Sequence, residues 1–378
     1  MFLDYNFRNY NYRLFLYILL LNTLGVLVIR SATNQDMAVV GKQIMGIIVG
    51  FGIIIGLSLI DYHRILSMSF VIYGLCVVGL LAVLLFGVSR NNATRWIVLP
   101  GIGQIQPSEF VKIGLIVFFS WFFDKNQEKL NVFRTLLLAG GLYLILFFLI
   151  FRQPDLSTGL VTMVIFVCML YTAGLSYRWI ATALAVLIPS AALFIYLLQY
   201  NLVPFLKEYQ VRRILAFVNK SSYAEANLQQ DNSIMAIGSG MLHGKGLNNN
   251  TLASVKNGNF LSEEQTDFIF AVIGEELGFI GCSLVILMIA LIVYECLMMA
   301  AKVRDLSGRL LCVGMASLIA FQSFSNIAVA TGIFPNTGLP LPFISYGVSS
   351  LMSIDLGVGL IMNVGLQRKN SNYKEGYL

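Results

Sequence analysis

Asp267 is the side chain whose type and position first suggest chemistry. It lies in segment 263–270, where acidic and polar residues directly precede a long apolar run. A carboxylate within hydrogen-bonding reach of a hydroxyl can take its proton. The simpler interpretation is an acid at the start of a helix, where the helix dipole favours negative charge. Because ionisable groups are costly in membrane segments, Asp267 is a candidate functional residue.

Two similar sequence motifs, 106–109 and 153–156, place a proline and an acid where a helix is expected to begin. Proline suits the first helical turn and the dipole stabilises an acid there, so helix capping is a sufficient explanation for both. Basic residues lie nearby, and arginine binds phosphate oxygens through its bidentate fork. Three cations and two anions at one membrane depth therefore predict an ion-pair network or a site for a charged head group. These residues are Arg95, Glu109, Lys112, Arg152 and Asp155.

Segment 199–267 is too varied in composition to be a simple linker. Within it, apolar residues of 211–218 stand beside Arg212 and Arg213. This pattern is typical of a short amphipathic helix at a membrane surface. A solvated helix turn that packs on the rest of the protein explains it equally well.

Residues 237–246 are rich in glycine and include Lys245. Glycines let backbone N–H groups approach an anion closely. The segment does not match a P-loop, because Lys245 is followed by glycine rather than by serine or threonine. Ordinary turn chemistry is the simpler explanation of the glycines.

The apolar run after Asp267 predicts one long helix, 268–299, about 48 Å in length at 1.5 Å per residue. At 100° per residue, Gly274 and Gly278 fall on the same face as Asp267, and their spacing lets another backbone approach closely. We therefore expect Asp267 to lie at the end of a smooth, glycine-containing stripe on one face of this helix. The two glutamates after Gly274 lie about 12 Å deeper and are candidate partners of a basic group.

Segment 335–347 breaks the helical pattern with three prolines and includes Ser345. Irregular backbone at membrane depth is tolerated where protein or a cavity satisfies its polar groups. The segment is either a re-entrant element that lines a cavity or a kinked entry to the last helix.

The composition sets the fold class that must position these residues. Of 378 residues, 57% are hydrophobic and 12% are charged, whereas soluble domains carry about 25% charged residues. Apolar runs of about 20 residues, each able to cross a bilayer, recur along the chain. We therefore predict an all-α polytopic membrane protein, a single domain over 1–378 with ten spans. The spans are 14–29, 43–60, 67–88, 108–123, 134–151, 157–175, 179–198, 268–299, 310–332 and 341–366.

Several classes of site are disfavoured. The net charge of +6 comes without a nucleic-acid-binding motif or an aromatic-interleaved basic patch. The five cysteines lie within apolar runs without metal-ligand spacing, so core packing explains them. The two histidines are 180 positions apart, which argues against a histidine-based metal site or triad. Two arginines precede the first span with no cleavage site after it, so this span is expected to be retained.

The distribution of basic residues predicts the orientation in the membrane. With a cytoplasmic N-terminus, the inner segments hold 13 of the 25 Lys and Arg residues and the short outer segments hold 6. Both tails, 1–13 and 367–378, are therefore expected in the cytoplasm. Loop 199–267, between spans seven and eight, then lies outside with the other unusual segments. The working face is expected to be exoplasmic.

Six groups of residues together carry a resemblance to a known family. They are 93–97, 106–109 with Lys112, 152–158, 213–215, 266–278 and 338–350. The chain resembles the SEDS family of shape, elongation, division and sporulation proteins, which includes RodA and FtsW. The resemblance covers nearly the whole chain, and segment 336–342 is more similar to RodA than to FtsW. Val348 departs from the family, which usually has a second glycine there, and 91–94 lacks a common glycine and second basic residue.

The resemblance implies a multi-pass protein of the bacterial cytoplasmic membrane. Its expected activity is that of a peptidoglycan glycosyltransferase, which polymerises lipid II at the outer face and releases undecaprenyl pyrophosphate, in cell elongation and shape or in division. The implied partners are lipid II, the growing glycan strand, membrane lipid and a class B penicillin-binding protein, which is a transpeptidase. No nucleic acid is implied. A divalent cation, Mg²⁺ or Mn²⁺, is compatible with the family, although no sequence feature shows one.

The resemblance makes Asp267 the expected catalytic residue, either as the general base or as a seat for the acceptor sugar. The residues expected to bind substrate are Arg95, Glu109, Lys112, Arg152, Asp155, Arg212, Arg213, Lys245 and Ser345. Two other functions fit ten spans with a polar rim: a transporter or flippase of the lipid-linked precursor, and a non-catalytic scaffold of cell-wall synthesis. Transporters tend to bind substrate near the midplane, whereas the polar motifs here cluster at one face, which favours an enzyme.

Overall fold

The computed structural model describes residues 7, 10–90, 93–99, 103–199, 224–248, 264–336 and 338–367. Within these ranges the chain forms twelve α-helices, a small sheet and a short 3₁₀ helix, Gln127–Lys129. The helices are α1 (Tyr12–Ala32), α2 (Met37–Ser58), α3 (Tyr62–Ser67), α4 (Ser69–Phe86), α5 (Pro107–Lys125), α6 (Phe133–Arg152), α7 (Leu156–Thr172), α8 (Tyr177–Gln199), α9 (Ala224–Ser239), α10 (Ile269–Lys302), α11 (Leu306–Ala330) and α12 (Val348–Gln367).

Each of the ten predicted spans overlaps a helix, although residues 341–347 of the last span precede α12. In the described part of the chain, seven helices are long and apolar enough to cross a membrane, namely α1, α2, α4, α6, α10, α11 and α12. Helix α7 is apolar but has 17 residues. The predicted class of helical membrane protein is confirmed, while the number of spans and the orientation of the termini stay predictions. The single domain over 1–378 likewise stays a prediction.

The two motifs that pair a proline with an acid, 106–109 and 153–156, both begin helices. Asp155 is the N-cap of α7, and its carboxylate accepts a hydrogen bond from Thr158 N. Pro107 occupies the first turn of α5, where its missing N–H is not needed. Glu109 lies in the same turn, where the helix dipole favours its charge. Capping is therefore confirmed at α7, and α5 begins as its sequence predicts.

A small antiparallel sheet follows α4, in the segment between the third and fourth predicted spans. Its strands are β1 (Val88–Arg90), β2 (Ala93–Leu99) and β3 (Gly103–Ile105), and β2 lies in the middle. Trp96 stands opposite Val88, and Ile97 stands opposite Ile105. The aromatic and β-branched residues of β2 favour a strand, so the signal is present in the sequence. The all-α prediction is wrong in this one segment.

Helix α10 is interrupted, contrary to the prediction of one continuous helix 268–299. Gly278 has φ 65° and ψ −163°, which is not helical. A side chain would disfavour this conformation, but glycine adopts it readily. The two parts of α10 therefore do not share one smooth stripe, and turn 240–246 packs against the interruption.

The central helices place the site. Helices α11 and α12 are the most buried of the candidate spans, whereas α4 and α6 are the most exposed. Helix α12 packs along α2, and α11 packs along α10. We call the end of the bundle at which α10 begins the site end. Irregular segment 331–347 joins α11 to α12 there.

The irregular segment dips into the bundle. Gly25 lies seven residues before the end of α1, which is about 10 Å along the helix. A Cβ atom at Gly25 would come within 2.9 Å of both Cα and the carbonyl oxygen of Ile344. The segment thus lies well below the end of α1, as the re-entrant interpretation predicts.

We predict that Gly25→Ala lowers the free energy of unfolding by about 1–3 kcal/mol, because the new methyl group meets backbone that cannot move aside easily. Gly52 on α2 is the matched control, since it is exposed and a Cβ atom there has nothing within 4 Å. Gly52→Ala should leave stability unchanged or raise it by about 0.5–1 kcal/mol. Melting curves in detergent measure both. Equal melting temperatures for the two variants would contradict the packing of α1 on segment 331–347.

Candidate functional site

The segment that carries Asp267 is fixed by its backbone. Three successive carbonyl groups, of residues 265–267, accept hydrogen bonds from segment 331–347 and from α11. Tyr346 N donates to Gln265 O at 2.8 Å, Ser345 Oγ to Thr266 O at 2.6 Å, and Asn326 Nδ2 to Asp267 O at 2.9 Å. The position of Asp267 is therefore set by groups on two other elements.

The Asp267 carboxylate lies against Gly338. Gly338 has φ 69°, and a Cβ atom there would lie 3.1 Å from Asp267 Oδ2. A side chain at this position would be both strained and crowded, so glycine gives the carboxylate its place beside the proline-rich segment. Asp267 is half-buried. One carboxylate at the site end is thus held firmly and still reaches the surface.

The proline-rich segment is held in turn by two amide side chains of α11. Asn326 Nδ2 donates to Leu339 O at 2.7 Å, and Gln322 Nε2 donates to Pro340 O at 3.0 Å. Asn326 also bonds Asp267 O, so one side chain joins both irregular segments. Such pairing is what allows irregular backbone at membrane depth.

Glu109 and Lys112 form a buried ion pair beneath this segment. Lys112 Nζ lies 2.8 Å from Glu109 Oε1 and 2.7 Å from Gln322 Oε1. The Lys112 side chain is fully buried and Glu109 is nearly so. Through Gln322 the pair supports Pro340. The structure thus brings these two predicted residues together, inside the protein rather than at its surface.

Arg95 and Asp155 form a second pair. Arg95 Nη1 lies 3.6 Å from Asp155 Oδ1, and Nη2 donates to the carbonyl oxygen of Pro154. Gln106 Nε2 donates to Asp155 Oδ2 at 3.2 Å, so the two similar motifs, 106–109 and 153–156, are in contact. This pair ties strand β2 to the start of α7. The predicted ion-pair network is therefore present as two separate pairs.

The other predicted residues are dispersed. Arg152 is exposed at the end of α6. Ser345 is buried, and its hydroxyl donates to Thr266 O and accepts from Leu341 N at 2.7 Å. Lys245 lies 2.7 Å from Glu275 at the interruption of α10. Arg212 and Arg213, with the amphipathic helix predicted at 211–218, lie outside the described residues.

Sequence reasoning missed the two amides of α11 and Gly338. Gln322 and Asn326 are both fully buried, and four residues apart they lie on one face of an apolar helix. Paired amides on an otherwise apolar helix were the available signal, because such groups need partners. The glycine gave no comparable signal, since its role depends on Asp267, which is distant in sequence.

An apolar cavity lies between α2, α4, α5 and α12. Its volume is about 380 Å³, and Ile105 and Pro107 line it at the site end. Leu57 and Leu360 line it near the opposite end of the bundle. The cavity therefore runs along the helices and can accept an apolar chain. In the described part of the chain, no three His, Cys, Asp or Glu side chains cluster as a metal site would require.

The fold and site define a helical membrane protein that presents one fixed carboxylate between two irregular segments. Residues 12–370 match the FtsW/RodA/SpoVE family of cell cycle proteins. Because the match covers nearly the whole chain, the chain belongs to this family, as its resemblance to the SEDS proteins predicts.

Relatives from three organisms are similar to the chain to the same degree. The probable peptidoglycan glycosyltransferase FtsW of Geobacter sulfurreducens is 32% identical over 374 residues, 96% of each chain. The peptidoglycan glycosyltransferase MrdB of Escherichia coli K12 is 32% identical over 94% of this chain and 93% of its own. Stage V sporulation protein E of Bacillus subtilis is 32% identical over 92% and 94%.

Solved structures share the fold. One chain belongs to a structure described as "Structural coordination of polymerization and crosslinking by a peptidoglycan synthase complex". It is 27% identical, with a TM-score of 0.79 over 95% of this chain and 98% of that one. The rod shape determining protein RodA of Thermus thermophilus is 25% identical, with a TM-score of 0.69 over 97% and 98%. The described helices thus have the arrangement of RodA.

We predict that Lys112→Met lowers the free energy of unfolding by about 3–5 kcal/mol, because it leaves Glu109 buried without its counter-charge. The double variant Glu109→Leu/Lys112→Met should regain at least half of that loss, since both charges are then removed. Arg152→Met, at an exposed cation of the same end, should change stability by less than about 0.5 kcal/mol. Denaturation in detergent measures all three. A double variant less stable than Lys112→Met would contradict the assignment of a mutually compensating buried pair.

Proposed function

We propose that this chain, a peptidoglycan glycosyltransferase of the bacterial cytoplasmic membrane, polymerises lipid II with Asp267 as its general base. The relatives named above as peptidoglycan glycosyltransferases match the chain over nearly their whole length. The observation that carries the residue assignment is the fixed, half-buried carboxylate beside Gly338. A half-buried carboxylate on a fixed backbone suits a reaction that removes a proton from a bound hydroxyl.

The reaction forms one bond and breaks another. A sugar hydroxyl of one chain attacks the anomeric carbon of the other, and the bond from that carbon to undecaprenyl pyrophosphate breaks. Asp267 accepts the proton of the attacking hydroxyl, which raises the electron density on its oxygen as the new bond forms. The leaving group departs with the electron pair of the broken bond. Afterwards the carboxyl group loses its proton to solvent and is ready for the next addition.

The site residues divide into two roles in this proposal. The Arg95 side chain is 15% exposed, and we assign it to the pyrophosphate, for which Arg is well suited. Lys112 and Glu109 are buried within the protein. We therefore assign them the structural role of supporting the proline-rich segment beside Asp267. Arg212 and Arg213 remain candidates for the pyrophosphate on the basis of sequence alone.

We propose the topology in which both termini are cytoplasmic, ten helices span the membrane and the site end faces outward. The 13 to 6 distribution of basic residues supports it. Loop 199–267 then lies on the outer side. The apolar cavity beside α5 is open to a polyprenyl chain that enters sideways from the outer leaflet.

A divalent cation is part of the proposal as an aid to pyrophosphate departure. Mg²⁺ is commonly held by one or two carboxylates together with substrate phosphates. The described residues do not form a group of three acidic, histidine or cysteine ligands, so phosphate and water oxygens would supply most of the coordination. Such an ion would neutralise charge that develops on the leaving group.

We propose a class B penicillin-binding protein as partner and a role in cell elongation and shape. The structural neighbour described as a peptidoglycan synthase complex supports a crosslinking partner. Segment 336–342, which resembles RodA, supports the role in shape. The equal 32% identity to FtsW, MrdB and the sporulation protein does not separate elongation from division or sporulation.

We predict that Asp267→Asn lowers the rate of glycan synthesis by about 10²–10⁴-fold, because the amide cannot accept the proton. The measurement is polymer formation on a gel from purified protein, its penicillin-binding partner and labelled lipid II. The variant should melt at the temperature of the native protein. Asp231→Asn, at an exposed acid of α9, is the matched control and should keep full activity.

Glycan of normal amount and length from Asp267→Asn would remove Asp267 from the reaction. Transfer of labelled lipid II across the membrane of vesicles, without formation of glycan polymer, would point to a transporter instead. Repeating the assay with a chelator, then with excess Mg²⁺ or Mn²⁺, tests the cation. An unchanged rate in the chelator would remove the cation from the proposal.

A further inference from the structure

The interruption of α10 is completed by a segment that is distant in sequence. Gly278 is not helical, so groups on both sides of it lose their partners within the helix. Turn 240–246 supplies replacements in both directions. Its N–H groups at 245 and 246 donate to the carbonyls of 275 and 276 at 2.9 and 3.0 Å. Its carbonyls at 241 and 242 accept from the N–H groups of 279 and 280 at 2.9 and 3.2 Å.

Three glycines allow the two backbones to touch. A Cβ atom on Gly240 would overlap the carbonyl oxygen of Gly274, and one on Gly244 would overlap that of Glu276. A Cβ atom on Gly278 would overlap the backbone nitrogen of Gly244. We call turn 240–246 and residues 274–278 of α10 the glycine clasp. Its close contact is possible because glycine has no side chain.

A partly buried ion pair closes the clasp. Lys245 Nζ lies 2.7 Å from Glu275 Oε1, and the Glu275 side chain is 3% exposed. Residues 269–277 form a separate helical piece, and Lys245 stands at its C-terminal end. A cation is favoured there by the helix dipole. The charge pair and the backbone bonds of Lys245 therefore act on the same short piece of helix.

The clasp is anchored to the helix that also holds Asp267. Gln230 Nε2 of α9 donates to Val329 O at 2.8 Å, and Ser233 Oγ donates to Ala330 O at 2.8 Å. Both acceptors lie at the end of α11, one turn beyond Asn326, which bonds Asp267 O. The helical piece 269–277 is thus held at its first end by α11 and at its second end by the clasp.

We propose that Lys245 and Glu275 are positioning residues for Asp267, acting through the glycine clasp and the helical piece 269–277. This inference rests on the proposed function, because it takes Asp267 as the reacting group. It gives Lys245 a role different from the direct substrate contact that the sequence predicts. A small displacement of a reacting group lowers the rate of the chemical step strongly, whereas substrate binding by other residues stays intact.

The first test separates positioning from substrate contact. Lys245→Ala and Glu275→Ala should each lower kcat for lipid II polymerisation about tenfold and leave KM within about twofold, because the loss falls on the chemical step. Lys245→Arg should keep activity within about threefold of the native protein. The exchanged pair Lys245→Glu/Glu275→Lys should recover most of the loss seen in either alanine variant, since it restores opposite charges.

The second test removes the backbone contact without touching a charge. Gly240→Ala inserts a methyl group into the clasp, and we expect the same loss of kcat at unchanged KM. Gly238→Ala is the matched control, because a Cβ atom there has nothing within 4 Å, and it should keep full activity. Folding is compared by melting each purified protein together with its partner. A variant that fails to fold is recognised in this way, and the remaining variants then test the inference.

Three outcomes would overturn the inference. Lys245→Ala with a raised KM and an unchanged kcat would make Lys245 a substrate contact. An exchanged pair no more active than the single variants, or a fully active Gly240→Ala, would show that the clasp does not position the site. Asp267→Asn in the same assay keeps the two proposals distinct. Full activity of that variant, with kcat losses at the clasp, would reject the base and retain the clasp as a positioning device.

Discussion

Backbone polar groups without helical partners are the constraint on which this structure depends. Inside a membrane protein such groups are costly unless the protein satisfies them. The proline-rich segment finds its donors on α11, and the interruption of α10 finds its partners in turn 240–246. The segment that carries Asp267 meets the proline-rich segment at the site end, where Gly338 lies beside the carboxylate. The proposed base is therefore positioned by the backbone pairing of the segment that carries it.

Buried charge supports the same arrangement from below. The Glu109–Lys112 pair has little water around it and bonds Gln322, which in turn bonds Pro340. A buried pair gives little net stability compared with apolar side chains, but removal of one partner is strongly destabilising. Its value here is geometric, because it fixes the amide that holds the irregular segment. The lysine thus contributes to the site without touching its surface.

The sequence predicted the local elements and missed the distant contacts. Apolar runs predict the helices, and Asp155 is recognisable as a cap, because these features depend on neighbouring residues. The interruption at Gly278 was not predictable in this way, since glycines on one face suit a smooth stripe as well as a clasp. What decides between them is turn 240–246, which lies about 30 residues away along the chain. The roles of Gln322 and Asn326 likewise depend on carbonyls that only the folded chain brings near.

The pH dependence of lipid II polymerisation tests the central claim most directly. A general base must be unprotonated, so kcat of the native protein should fall at acidic pH. In Asp267→Asn the remaining slow rate should lose this acidic decline, while the decline persists in Asp231→Asn. An acidic decline of the same position and depth in Asp267→Asn would show that another group takes the proton, and would contradict the account.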